Sequence, residues 1–185
     1  LGLSFYAYQS ARALPALVVL AFAGAVVTGR ATLKGAFRDL LLVGVVAALV
    51  FAPMGVYMLT HPGQAAERIE QTWVFSPELT LRENVARVRH EIFDAVRVLA
   101  LEGDEEPIHN LPGRSAMHPL LLALFVIGLV IAVVSMVVSD TRRLSYGVIL
   151  GWLPIMSVTA ILTAGGQPTK RALGALPAVA ALVAL

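Results

Sequence analysis

Lys170 and Arg171 stand side by side at the mouth of an unbroken apolar run, ALGALPAVAALVAL, residues 172 to 185. They follow Pro168, a residue suited to the first turn of a helix. The N-terminal turn of a helix presents unpaired N–H groups and partial positive charge, so it already favours an anion. Two cations beside it make a seat for a phosphate. Arg12, at the start of the first apolar stretch, can join them if it lies on the same side of a membrane. The plainer account is that all three reach toward lipid headgroups from the ends of their spans.

Four other groupings invite chemistry. In HEIFD (90–94), His90 and Asp94 share a helix face, but a zinc-protease helix needs histidine where Asp94 stands. An i,i+4 ion pair on a solvated face is the better account. GDEEP (103–107) clusters carboxylates without further oxygen ligands at defined spacing, which reads as an acidic turn rather than a calcium loop. HNLPGRSAM (109–117) contains a Pro-Gly turn flanked by Asn110 and Arg114. It is either a simple re-entry connector or a shaped loop that holds substrate. His61 and His118 border apolar spans and read as interfacial residues. No metal site and no cofactor is expected.

The elements that would position these residues are membrane spans. The chain has 185 residues, 58% of them hydrophobic and 14% charged, with a mean hydropathy of +0.80. Soluble domains run nearer about 45–50% apolar and about 25% charged. A formal net charge of +2 is too small and too scattered for nucleic-acid binding. With no cysteine, thiol nucleophiles and cysteine-ligated zinc are excluded. Leu40–Thr60 is uncharged over roughly 31 Å of helix, one hydrocarbon thickness. Pro119–Ser139 is similar, Leu14–Thr28 and Tyr146–Ala164 are shorter, and Ala172–Leu185 begins a fifth span. The predicted fold is therefore all-α, a polytopic bundle of about five transmembrane helices. Residues 1–60 hold two spans, 61–118 a partly helical loop, and 119–185 three more spans. Pro53 and Pro154 fall inside spans, where neighbouring helices must cover the freed carbonyls.

Sidedness follows from charge. Arg30, Lys34, Arg38, Arg142 and Arg143 crowd the short connections 29–39 and 140–145, which the positive-inside rule assigns to the cytoplasm. The 61–118 loop, with ten acidic and six basic residues, is then extracytoplasmic. Arg12, Lys170 and Arg171 would share that side. Within the loop, residues 80–101 predict one amphipathic helix, opened by a Thr80–Glu83 capping box and supported by a Glu83–Arg87 pair. Its apolar stripe either lies at the membrane surface or roofs the bundle. Gly174 and Ala178, four apart, would allow close helix packing.

Four stretches taken together, in order and separated by apolar spans, resemble a known family. They are GLSFYAYQSARALP (2–15), THPGQAAERIEQ (60–71), the EGD-to-HNLPGR stretch (102–114) and GGQPTKRALGALP (165–177). The family is glycosyltransferase family 39, the dolichyl-phosphate-mannose protein mannosyltransferase-like bacterial membrane enzymes of GT-C fold. The resemblance covers nearly the whole chain and looks like the later part of the transmembrane region. It implies a plasma-membrane enzyme that moves a sugar from a polyprenyl-phosphate donor to an extracytoplasmic acceptor, with inversion and without a nucleotide-sugar site. It also implies a catalytic carboxylate in an outer loop upstream. The chain begins at Leu1 and stops within an apolar run, so it is expected to be a piece of a larger protein, and no catalytic residue is assigned within it. In the resemblance Arg171 matches the arginine before the Gly-Ala-Leu-Pro run, Arg12 ends a Tyr-rich stretch, and Arg114 follows Asn-Leu-Pro-Gly. Thr169 and Lys170 depart from the usual neighbours of Arg171, which leaves a histidine's role unfilled or taken by Lys170.

Two other classes stay open. A transporter or permease would carry charges near the midplane or paired broken helices, and the spans show neither. A non-catalytic membrane scaffold would have no use for a lipid phosphate. The sugar, the acceptor and the polyprenol are not written in the sequence.

Overall fold

The computed structural model describes residues 1–6, 11, 13–63, 74–76, 78–101, 114–162 and 172–185. Among these the chain is all-α, with six α-helices and no strand. They are α1 (Leu14–Val27), α2 (Leu33–Thr60), α3 (Leu81–Ala100), α4 (Pro119–Val138), α5 (Arg143–Ile161) and α6 (Leu176–Val183), with 3-10 turns at Leu3–Tyr6 and Ala172–Ala175.

Two helices, α2 and α4, are long and apolar enough to cross a membrane. Neither is the buried core of a soluble fold. Ala36 is the one buried residue of α2, and Gly128 and Ala132 are the buried pair of α4. The remaining large apolar side chains of both helices, from Leu41 to Leu59 and from Leu120 to Val138, face outward in quantity. Exposed apolar surface of this extent is of the kind that meets a partner or a membrane.

The other three expected spans are apolar but shorter. At 1.5 Å per residue, the 14 residues of α1 reach roughly 21 Å. Its end is fixed locally: Gly29 takes a φ of 69°, and its amide closes on the Val26 carbonyl, as does that of Thr28 on Gly24. Thr32 then caps α2 by accepting from the Gly35 amide at 3.1 Å. The basic stretch 33–39, expected as connection, is therefore the first two turns of α2. The α-helical part of the last segment is only eight residues, Leu176–Val183 with Pro177 in its first turn, after the 3-10 turn.

Helices α1, α4 and α6 pack around α5 and one another through missing side chains. Leu20 of α1 lies where a Cβ on Gly151 would stand, and Leu144 of α5 comes within 2.7 Å of a Cβ built on Gly24. Where α4 meets α6 the contact is backbone on backbone, with the Leu182 carbonyl in the space of a Gly128 Cβ. Small residues let helices approach in this way. Ala132, Tyr146 and the fully buried Leu182 form the centre, with Phe125, Leu129 and Leu153 against it. At one end the α1–α2 link meets the α4–α5 link, where the Arg30 guanidinium donates to the Thr141 carbonyl. The starts of α1 and α4 and the ends of α2 and α5 thus lie toward the other end, and the turn before α6 meets α5 halfway along, at Trp152.

Helix α3 packs one side against α5 and forms as expected over Leu81–Ala100. The Thr80 hydroxyl accepts from the Glu83 amide, and the Glu83 carboxylate accepts from the Thr80 amide at 2.8 Å and its hydroxyl at 2.7 Å. The expected Glu83–Arg87 pair does not form. Glu83 is committed to the cap, and Arg87 reaches back to the Val74 carbonyl at 3.5 Å. The Thr80 hydroxyl, and then its amide, hold the Glu83 carboxyl below the usual glutamate range. A carboxyl lowered by folding stabilises the fold fully above the ordinary glutamate pKa, and that contribution is lost as pH falls through the lowered value. Amide protection at Thr80 and Glu83 is expected to fall as pH drops below the ordinary glutamate value of about 4.3. Glu83→Gln should remove that acid sensitivity, and hydrogen exchange read by mass spectrometry checks both.

Candidate functional site

Of the residues the sequence singles out, Arg12, Asn110, Lys170 and Arg171, with Pro168, lie outside the described residues, as does GDEEP. Arg114 is described. It is exposed, three residues ahead of a buried Met117 whose carbonyl accepts from the Ser115 hydroxyl at 2.8 Å. The helix N-terminus expected right behind Arg171 is a 3-10 turn, and regular α-helix begins at Leu176. What the structure gives in full is the frame that holds the flanks of these residues.

The segment ahead of Arg12 is fastened to α2. Gly2 is buried so closely on α2 that a Cβ there would stand 2.5 Å from Val50 Cβ. Phe5 and Tyr6 pack their rings on Phe51, at 5.0 and 6.3 Å between centroids. The Tyr6 hydroxyl accepts from the Met54 amide at 3.2 Å and donates to the Val50 carbonyl at 3.1 Å. Those two groups face each other across one turn, beside Pro53, which has no amide to donate and crowds the carbonyl four residues back. The carbonyl that Pro53 frees is that of Leu49; the phenol bridges the next pair along, Val50 and Met54. An apolar furrow of about 290 Å³ runs beside this contact, walled by Leu1, Phe5, Pro15, Val19, Ala47 and Phe51.

The flanks of Lys170 and Arg171 are fastened to α5. Before them, the Leu162 carbonyl accepts from the Val74 amide at 3.0 Å, with Val74 wholly buried. After them, the Trp152 indole N–H donates to the Gly174 carbonyl at 2.8 Å. Gly174 thus offers a carbonyl to α5, and Ala178, four residues on, is buried. The Val74 segment is in turn held by Asn84, which is buried. Its side-chain amide donates to the Ser76 and Leu79 carbonyls at 3.1 and 3.2 Å and accepts from the Ser76 amide at 3.0 Å. Neither Trp152 nor Asn84 was legible as a fastener, because each partner is distant or lies in a loop.

The histidines take structural places. His118 caps α4, its Nδ1 accepting from the Leu120 amide at 3.3 Å ahead of Pro119. His61 stacks on Tyr57 with 4.4 Å between ring centroids, and its Nδ1 lies 3.0 Å from the Thr60 hydroxyl. His90 meets Asp94 at 2.9 Å on an exposed face of α3, as its i,i+4 spacing requires. Among the described residues no group of three metal-ligating side chains gathers.

The chain matches no protein-family model, no curated protein and no solved structure.

Proposed function

We propose that the chain is part of an integral membrane glycosyltransferase that takes sugar from a polyprenyl-phosphate donor and passes it to an acceptor on the extracytoplasmic side. The order of four motifs along the sequence carries the reading. Two features of the fold support it. The flanks of Arg12 and the flank ahead of the Lys170–Arg171 pair lie toward the same end of the bundle. The described residues before and after Arg12, Phe5 and Pro15, also wall an apolar furrow that suits a hydrocarbon chain. In this reading α2 and α4 cross the bilayer, α1, α5 and α6 complete the five-segment bundle, and the loop containing α3 is extracytoplasmic.

The chemistry follows from charge. Glycosyl transfer from a lipid phosphate builds negative charge on the leaving phosphate, and cations held in a poorly hydrated mouth stabilise it. Lys170, Arg171 and Arg12 have that role, Asn110 and Arg114 line the acceptor or sugar side, and a carboxylate outside this chain takes the proton from the acceptor hydroxyl. The test is transfer of labelled sugar by the full-length protein in nanodiscs, with polyprenyl-phosphate sugars and with nucleotide sugars as donors. Transfer from the lipid-linked donor alone is expected. Transfer from nucleotide sugars alone would refute the reading, and so would none from a panel of polyprenyl-phosphate hexoses and pentoses offered with peptide, glycan and lipid acceptors.

A further inference from the structure

Helix α3 divides its surface into sectors that no part of the proposed reaction uses. At 100° per residue, Leu81, Val85, Ile92 and Val96 fall on one line along the helix. Asn84, Arg87 and Ala95 fall to one side of that line. There Asn84 is buried and Arg87 reaches Val74, so this side faces the rest of the fold. Glu83, His90 and Asp94 fall on the face opposite the line, and they carry the cap and the His90–Asp94 contact. Between the line and that polar face come Arg82, Arg89 and Phe93.

The apolar line is not turned inward. Leu81, Val85, Ile92 and Val96, together with Phe93, are between 45% and 79% exposed. Water is a poor neighbour for five such side chains on one helix, since burial of each is favourable. On the outward flank of the line the charges are of one sign, while Glu91 lies on the inward side with Asn84 and Arg87. Arg82 and Arg89 flank the line and make no ion pair or hydrogen bond within the described residues. The acidic residues Glu83 and Asp94 lie on the far face. Such an arrangement complements a surface that is hydrocarbon below and phosphate above, where arginine stems cover apolar surface and their heads meet phosphate.

We infer that α3 lies in the headgroup layer of the membrane. Leu81, Val85, Ile92 and Val96 enter the acyl boundary, Arg82 and Arg89 hold phosphate-bearing headgroups, and the Glu83–His90–Asp94 face meets water. The occupant of the exposed face is lipid, chosen over a second protein surface by the cations beside it. The inference rests on the membrane reading of α2 and α4 and is independent of the enzyme reading.

The chain has no cysteine, so single spin labels report without further substitution. Labels at Val85→Cys, Ile92→Cys and His90→Cys, with Val130→Cys on α4 as a depth reference, are placed in nanodiscs of phosphatidylcholine and phosphatidylglycerol. Accessibility to oxygen and to a water-soluble nickel chelate is read by power saturation. Labels at residues 85 and 92 should favour oxygen over the chelate several-fold more than the label at residue 90. Equal access of the chelate to all three would overturn the inference, and so would exclusion of both reagents at residues 85 and 92, which means cover by protein. A water-exposed label at residue 130 would overturn it together with the membrane reading. Arg82→Gln with Arg89→Gln should move the label at residue 85 toward water, and an unchanged depth would remove the headgroup contact.

Discussion

Gly128→Ala will lower the unfolding midpoint of this chain, although alanine is the better helix former. In a helix interior alanine is favoured over glycine by about 1 kcal/mol. Against that, the new methyl would occupy the place of the Leu182 carbonyl, which is backbone and has no rotamer by which to leave. Overpacking of this kind costs about 1–3 kcal/mol, and the whole of α6 must shift to relieve it. Gly128→Leu is expected to undock α6 altogether. The control is Gly44→Ala on the outer side of α2, where an added Cβ meets nothing within 4 Å and the propensity gain stands alone. Denaturant titration in micelles reads the midpoints. Trp152 reads the cause, since its indole N–H binds the Gly174 carbonyl just ahead of α6. In a Trp73→Phe background, undocking should shift Trp152 emission. Equal midpoints for Gly128→Ala and the parent would show that the α4–α6 contact can loosen without loss.

The second large effect concerns Arg171. Under the proposed glycosyltransfer reading, Arg171→Ala in the full-length protein is expected to cut turnover roughly tenfold to a thousandfold, the range seen when one preorganised donor to a developing anion is lost. If the arginine binds the leaving phosphate only as charge grows on it, kcat falls while KM for the lipid donor stays put. Arg171→Lys separates charge from shape, because a guanidinium engages phosphate through two parallel N–H bonds and an ammonium cannot. Partial rescue by lysine means charge dominates, and none means the fork is needed. Unchanged turnover of Arg171→Ala at saturating donor would return the residue to a lipid-anchoring role.

The sequence was most legible where short-range rules decide. Thr80 and Glu83 announced the start of α3, and a 3.6-residue apolar period announced its length. Pro119 marked the start of α4. Hydropathy was a poorer guide to helix limits. Lys34, Arg38 and Asp39 read as the end of a span, yet a helix capped at Thr32 runs on through charges wherever its end reaches water. Conversely, apolar composition predicted spans at α1 and α6, while Gly29 and the 3-10 turn at Ala172–Ala175 cut the α-helices short. The Glu83–Arg87 pairing does not form, because Glu83 turns back to the Thr80 cap and Arg87 reaches the Val74 carbonyl. The bonds from Tyr6 to α2 and from Trp152 to Gly174 join residues 44 and 22 positions apart, and no periodicity encodes such pairs. The residues proposed to bind phosphate were chosen by charge and motif, which say where a cation sits in the chain and nothing of its angle to a ligand.

One oxygen atom deserves a mechanical description. Helix α2 is a strut with a weak joint at Pro53, and the Tyr6 hydroxyl is the pin through that joint. Because the pin bridges Val50 and Met54 while Gly2, Phe5 and Tyr6 rest on Val50 and Phe51, the Leu1–Tyr6 segment ties the two sides of the joint together. A phenylalanine would keep the ring against Phe51 and leave the joint unpinned.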